Sequence, residues 1–227
     1  MTRAVLLDIE GTTTSISFVF NVLFPYAAAN IPRYLATHTD AETEAACVVV
    51  LADATPEERI LGGRDAVVAV VRRQMAGDVK AGGLKQLQGL VWKHGYESGA
   101  IRGQVYADVP EMLRAWKAAG REAAIYSSGS RLAQELLFRH SEGGDLTPLL
   151  AGYYDTTSGP KREASSYRTI ADAWKKRVDE IVFCTDQPGE AEAARGAGMP
   201  VIILMRPGNA PLPANLPFEI HADLRKV

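Results

Sequence analysis

Arg3-Ala4-Val5-Leu6-Leu7-Asp8-Ile9-Glu10-Gly11-Thr12-Thr13 is the stretch around which this chain is organised. The apolar run Ala4 to Leu7 ends in a carboxylate, Asp8. A second carboxylate, Glu10, follows, then Gly11 and a run of hydroxyls. An unbroken apolar run bounded by Gly reads as a buried strand of a parallel sheet. In open α/β sheets, ligands collect beyond the carboxyl ends of the strands, and Asp8 falls there. Buried charges are tolerated only when paired or bound to a metal, so an acidic pair at a strand tip points to a cation. A solvated acidic turn would use the same residues, because Asp and Gly are common in turns. The rest of the chain decides between the two.

Length and composition set the frame. The 227 residues allow one large domain or two small ones with a proper core. The net charge of -2 gives no bulk electrostatic reason to bind nucleic acid or a membrane. Cys47 and Cys184 lie in apolar contexts and read as reduced core residues, which fits the cytoplasm. His38, His94, His140 and His221 are scattered without a helix-spaced pair, so a zinc site is not expected. The N-terminus runs straight into the first strand without a signal-peptide core. No segment approaches the ~20 apolar residues of a membrane span.

After Thr14 the pattern turns helical and stays so to about residue 103. Phe18, Val22 and Tyr26 share one apolar face, and Ile31, Tyr34 and Leu35 another. Pro25 and Pro32 should start or bend helices. Thr55-Pro56-Glu57-Glu58 is a helix start, with an N-cap Thr, Pro at the first helical position and an acidic first turn. From Tyr106 strands alternate with helices. Strands are expected at Glu122–Tyr126, Gly152–Asp155, Glu180–Thr185 and Val201–Met205, with a loop from Arg206 to Pro217. Alternation of this kind means a doubly wound parallel sheet with right-handed crossovers. The fold class is therefore α/β, with residues 1–14 and 104–227 as the core and an all-helical cap, residues 15–103, inserted after the first strand.

Several strand ends present polar side chains to one crevice: Asp8 and Glu10, Ser127 and Ser128, the loop carrying Lys161, and Asp186. Each has a plain alternative. The Ser127-Ser128-Gly129-Ser130 run could simply cap a helix, Lys161 could lie on the surface, and Asp186 could cap the helix opening at Pro188. Their joint occurrence after strand ends favours a site.

Asp8-Ile9-Glu10-Gly11-Thr12 resembles the first motif of the haloacid dehalogenase superfamily, Asp-x-[Asp/Glu]-Gly-Thr, and the other three clusters follow in that superfamily's order. Leu7 to Thr14, continued by Leu23-Phe24-Pro25-Tyr26, is similar to the enolase-phosphatase family of methionine salvage. So are Leu84-Lys85-Gln86-Leu87-Gln88-Gly89, Ile125 to Ser130, Leu137-Phe138-Arg139-His140-Ser141, Glu163-Ala164-Ser165-Ser166-Tyr167-Arg168 and Arg206-Pro207-Gly208-Asn209-Ala210. One departure is visible: Leu90 stands where that family usually has His. Most phosphatases of the superfamily carry Asp at the position of Glu10.

The resemblance implies one Mg²⁺ per chain, held by Asp8, Asp186 and the backbone carbonyl of Glu10. Mg²⁺ offsets the repulsion between a phosphate ester and a carboxylate nucleophile. Asp8 is the expected nucleophile, and Glu10 the acid and base for the leaving oxygen and the water. Ser127 and the Ser128 N–H would bind phosphate oxygens at a helix N-terminus, and Lys161 would add a point charge against phosphate and Asp8. Glu190 is a candidate for orienting water at the metal. Phe18, Phe20 and Phe24 could line a thioether site, or be ordinary core. The implied substrate is 2,3-diketo-5-methylthiopentyl-1-phosphate, enolised and then dephosphorylated to an acireductone by a cytoplasmic monomer. The residues alone reach a Mg²⁺-dependent phosphomonoesterase with an aspartyl nucleophile. A phosphatase for another small metabolite is the nearest alternative. A two-component receiver domain uses similar groups but in another order and without a large insertion, and no Gly-rich nucleotide loop occurs.

Overall fold

The computed structural model describes residues 3–79 and 81–227. The chain divides into two compact units, Met1–Val19 with Arg102–Val227, and Phe20–Ile101. The first unit carries the strands β1 (Ala4–Leu7), β2 (Glu122–Tyr126), β3 (Tyr153–Tyr154), β4 (Ile181–Thr185), β5 (Val201–Leu204) and β6 (Glu219–His221). They form one sheet of order β3-β2-β1-β4-β5-β6 in which every neighbouring pair is parallel. Strand order reverses at β1, between β2 and β4, which is where ligands bind in doubly wound sheets. Leu7 pairs with Ile125 on one side and Cys184 on the other. Asp8 therefore leaves β1 level with the last residues of both neighbours, and its N–H donates to the Cys184 carbonyl at 2.9 Å.

The helices are α1 (Ile16–Phe18), α2 (Phe24–Thr37), α3 (Ala41–Ala52), α4 (Pro56–Leu61), α5 (Gly63–Ala76), α6 (Gly82–Glu97), α7 (Asp108–Ala118), α8 (Arg131–Arg139), α9 (Ala164–Ala173) and α10 (Pro188–Ala197). Side chains alternate along a strand, so Leu6, Ala124, Tyr126 and Phe183 share a face. They pack with Tyr167, Ile170 and Ala171 of α9 and Ala194 of α10. Burying each large apolar side chain there contributes about 1.5–3 kcal/mol. Tyr167 meets Tyr126 and Phe183 edge-on, with ring centroids 5.6 and 5.1 Å apart. This rigid aromatic cluster lies under the strand ends that carry the polar groups.

The second unit is built from α2 to α6. Ile31, Leu35, Val50, Val67, Val70, Leu84, Leu87 and Val91 form its buried faces. Leu90 is buried in the same helix as Leu87. Thr55 and Glu58 make the reciprocal capping box that opens α4. Pro25 sits in the first turn of α2, whereas Pro32 lies inside that helix. A π-helical turn, Val19–Leu23, precedes α2. Trp92 Nε1 donates to the Leu23 carbonyl at 2.8 Å and satisfies one backbone acceptor of that turn. His38 and His94, distant in sequence, have ring centroids 5.2 Å apart.

The sequence pattern alone ends the sheet at β5. The structure adds β6, a three-residue edge strand after the Pro-rich loop. Three residues carry too little alternation to register as a strand, and the pairing with Ile202, Ile203 and Leu204 creates it. No helix among the described residues is long and apolar enough to cross a membrane.

Candidate active site

Asp8 is buried at the tip of β1, and Lys161 reaches it from the loop before α9. Lys161 Nζ lies 2.6 Å from Asp8 Oδ1 and 2.7 Å from Glu190 Oε2. The Ile9 N–H also donates to Asp8 Oδ1, at 2.7 Å. Thr185, the last residue of β4, stands 3.2 Å from Asp8 Oδ2 and 3.0 Å from Glu190 Oε2. A hydroxyl carries one proton, so Thr185 donates to one of these carboxylates at a time. Its oxygen in turn accepts from the Gln187 N–H at 3.1 Å. Asp8, Lys161, Thr185 and Glu190 thus form one connected group. Ser127 at the end of β2 and Asp186 after β4 are both buried on the flanking strand tips. Ser128 and Glu10 are half-buried, and Glu10 bridges to Thr14 across the turn.

Lys161 is buried, not on the surface. Ser130, not Ser127 or Ser128, caps α8, accepting from the Ala133 N–H at 3.3 Å. Gln187 is the N-cap residue of α10 and makes no side-chain cap bond, so Asp186 is not spent on that helix.

Electrostatics follow from crowding negative groups in a dry place. Burial pushes the Asp186 carboxyl up to about 6, and the charge of Asp8 adds to the rise. Burial and Asp8 likewise push Glu190 upward, against the pull of Lys161. Burial alone would lower Lys161, but Asp8 and Glu190 outweigh it and hold the ammonium above its ordinary value. Lys161 is therefore charged at neutral pH.

The loops are fixed by side chains outside the predicted site set. Tyr167 Oη donates to the Lys161 carbonyl at 2.6 Å, and Tyr126 Oη to the Gly159 carbonyl at 2.9 Å. Gln134 Nε2 donates to the carbonyls of Gly129 and Tyr154 at 2.8 and 2.9 Å, tying the serine loop to β3. Arg206 and Asp108 form a buried bidentate pair at 2.9 and 2.8 Å, and Arg206 Nε donates to the Thr12 carbonyl at 2.9 Å. Asn209 Nδ2 donates to the Gly11 carbonyl at 2.9 Å. Gly11 itself has φ of +68°, and a Cβ there would fall 2.4 Å from Asp186 Oδ2. Only glycine allows both the left-handed turn and the approach of that carboxylate. Arg206 and Asn209 belong to a stretch singled out in the sequence by resemblance. Gln134, Asp108 and Thr185 carried no sequence signal.

The family model for haloacid dehalogenase-like hydrolases matches residues 2–198. An enolase-phosphatase of Synechococcus elongatus is 48% identical over 212 residues, covering 90% of this chain and 89% of that protein. One from Drosophila melanogaster is 46% identical over 235 residues, covering 98% of this chain and 91% of that protein. The chain belongs to the enolase-phosphatase family. A crystal structure of the Unknown transcript 4 protein from Saccharomyces cerevisiae superposes with a TM-score of 0.84, at 34% identity over the whole of both chains.

Phosphatases of the haloacid dehalogenase type are generally Mg²⁺-dependent, and the donor set of this enolase-phosphatase fits such an ion. The groups around Asp8 are carboxylates and hydroxyls, hard oxygen donors, and one lysine faces several carboxylates. A divalent cation held by Asp8 and Asp186 would offset the burial of the Asp186 charge and its repulsion by Asp8, which together raise Asp186. Among the described residues, no three His, Cys, Asp or Glu side chains converge into a ready cage. Mg²⁺ takes one or two carboxylates, keeps several waters and uses substrate phosphate as a ligand.

Proposed function

We propose that this chain is a Mg²⁺-dependent enolase-phosphatase that converts 2,3-diketo-5-methylthiopentyl-1-phosphate to the acireductone 1,2-dihydroxy-3-keto-5-methylthiopentene and phosphate. Asp8 carries this reading: a carboxylate buried at the sheet's switch point, held by a buried ammonium, in a chain of this family. Asp8, Asp186 and the Glu10 carbonyl would hold one Mg²⁺, whose positive charge lets a carboxylate approach a phosphate ester.

This chain's own groups divide the remaining work. Two of the three Lys161 donors go to Asp8 and Glu190, leaving the third for a phosphate oxygen. Ser127 Oγ and the Ser128 N–H, just before α8, would bind the other oxygens. The Asp8 carboxylate attacks phosphorus, and the bond to the leaving oxygen breaks as Glu10 protonates it. Water, deprotonated by Glu10, then releases phosphate from the aspartyl ester and regenerates Asp8. The preceding enolisation removes a proton beside a carbonyl, and Glu10 is the proposed base. Residues 15–103 are read as the substrate-selecting cap of this family, and the cytoplasmic monomer expected from the sequence belongs to the same proposal.

The test follows the diketo phosphate by ultraviolet absorbance and phosphate release together. Enol absorbance and phosphate are expected, both stopped by chelation and restored by Mg²⁺. Release from many simple esters without any enol signal would overturn the substrate assignment in favour of an ordinary phosphatase.

A further inference from the structure

Asn209 follows β5 in a tight turn in which its N–H donates to the Arg206 carbonyl at 3.1 Å. Its amide nitrogen donates to two carbonyls, Gly11 at 2.9 Å and Leu204 at 3.2 Å. Both partners are acceptors, so the NH₂ must face them and the amide orientation is settled by chemistry. Oδ1 then points away from these partners. It is buried and has no hydrogen-bond partner among the described residues. An orphaned buried acceptor is costly, and such groups call for a partner.

The location says what that partner is. From the point where a Gly11 Cβ would sit, Asn209 Oδ1 is 3.1 Å away and Asp186 Oδ2 is 2.4 Å away. Two acceptors, one a carboxylate, thus line the same small space over Gly11. They repel each other unless a donor or cation lies between them, and one bridging water can reach both. Gln187 Nε2 donates to the same Asp186 oxygen at 3.0 Å, so that oxygen has only part of its capacity filled.

We propose that Asn209 is a positioning residue of the active site: its amide clamps the Gly11 loop to the end of β5, and its Oδ1 accepts a hydrogen bond from hydration water of the cation bound at Asp186. This rests on the reading of Asp186 as a cation ligand. Partners that orient a metal's ligands and waters typically change affinity by about 10–100-fold when removed.

The experiment measures Mg²⁺ binding to the whole chain without substrate, by calorimetry and by the Mg²⁺-dependent rise in Tm. Asn209→Ala should weaken Mg²⁺ about tenfold or more and lower Tm without Mg²⁺. Asn209→Asp loses the clamp but keeps an acceptor, so it should lower Tm without Mg²⁺ yet bind Mg²⁺ at least as tightly as the wild type. In steady state the Ala variant should need more Mg²⁺ for half-maximal rate while kcat at saturating Mg²⁺ recovers most of its value. Wild-type Mg²⁺ affinity in Asn209→Ala, with only Tm lowered, would make Asn209 a structural clamp and overturn the proposal. Should Asn209→Ala fail to fold, Asn209→Ser, with a shorter donor and acceptor, takes its place with the same outcomes. Absence of Mg²⁺ binding by the wild type would remove the cation reading and this inference with it.

Discussion

Replacing Lys161 by Met keeps most of the apolar stem, one atom shorter, and removes the ammonium with its charge and its donors. In the native protein Nζ touches Asp8 at 2.6 Å and Glu190 at 2.7 Å, all three groups being largely buried. At an effective dielectric of about 20, each contact is worth roughly 6 kcal/mol in Coulomb energy. Desolvating the three charges takes back much of that, and removing one partner of a buried pair costs about 3–5 kcal/mol. Lys161→Met is therefore expected to lose about 3–5 kcal/mol, or about 6–20 °C in Tm at roughly 2–4 °C per kcal/mol for a chain of this size. The loss should depend on pH. Lys161 is held above its ordinary value, so its own ionisation contributes fully at and below neutral pH and is lost only at alkaline pH. In the variant, Glu190 loses the ammonium that pulls it down, so burial and the charge of Asp8 raise it further. The folded variant then binds more protons than the unfolded chain, and its stability falls as pH rises. The gap between the proteins should widen from about pH 5 to 8, as measured by urea unfolding in chelator. Phosphate release at saturating Mg²⁺ should fall by about 10²–10³-fold, the scale for losing one stabilising group. Equal stability, or a gap unchanged with pH, would refute the role given to this ion triad.

Asp8→Asn should fold, because an amide oxygen in place of Oδ1 still accepts from the Ile9 N–H and Lys161 while Thr185 donates to Glu190, but should release no phosphate and form no acid-stable phosphoenzyme in rapid quench. Substantial turnover by the pure variant would sink the nucleophile assignment. In metal-free protein, Asp186 is raised to about 6 and Glu190 is raised as well, the reverse of an ordinary salt-bridged carboxylate. Their contribution to stability is present below about pH 4 and lost as pH rises through about 4 to 7. Urea midpoints in chelator should show that loss, Asp186→Asn should lessen it, and Mg²⁺ should offset it. Glu10→Gln should suppress enol absorbance and phosphate release together. Glu10→Asp, shorter by about 1.5 Å of reach, should spare release from a simple ester more than enolisation. Native enolisation by Glu10→Gln would place that base elsewhere.

Much of this site was legible in the sequence because its chemistry falls at strand ends. A short apolar run followed by a carboxylate fixes both β1 and the position of Asp8, since a buried parallel strand leaves no other reading for Ala4 to Leu7. The same logic located Ser127 after β2 and Asp186 after β4, and strand–helix alternation then dictated a parallel, doubly wound sheet. Capping chemistry placed α4 from Thr55-Pro56-Glu57-Glu58, because those contacts are local. Tertiary structure alone decided what depends on approach between distant segments. It buried Lys161 between Asp8 and Glu190, made Thr185 a bridge, and paired Arg206 with Asp108 under the Thr12 carbonyl. It also drew β6 out of a three-residue run and set Asn209 over Gly11 beside Asp186. Sequence periodicity records which side of an element is buried, whereas such contacts arise only when the sheet's register brings chain segments far apart in sequence within hydrogen-bond distance.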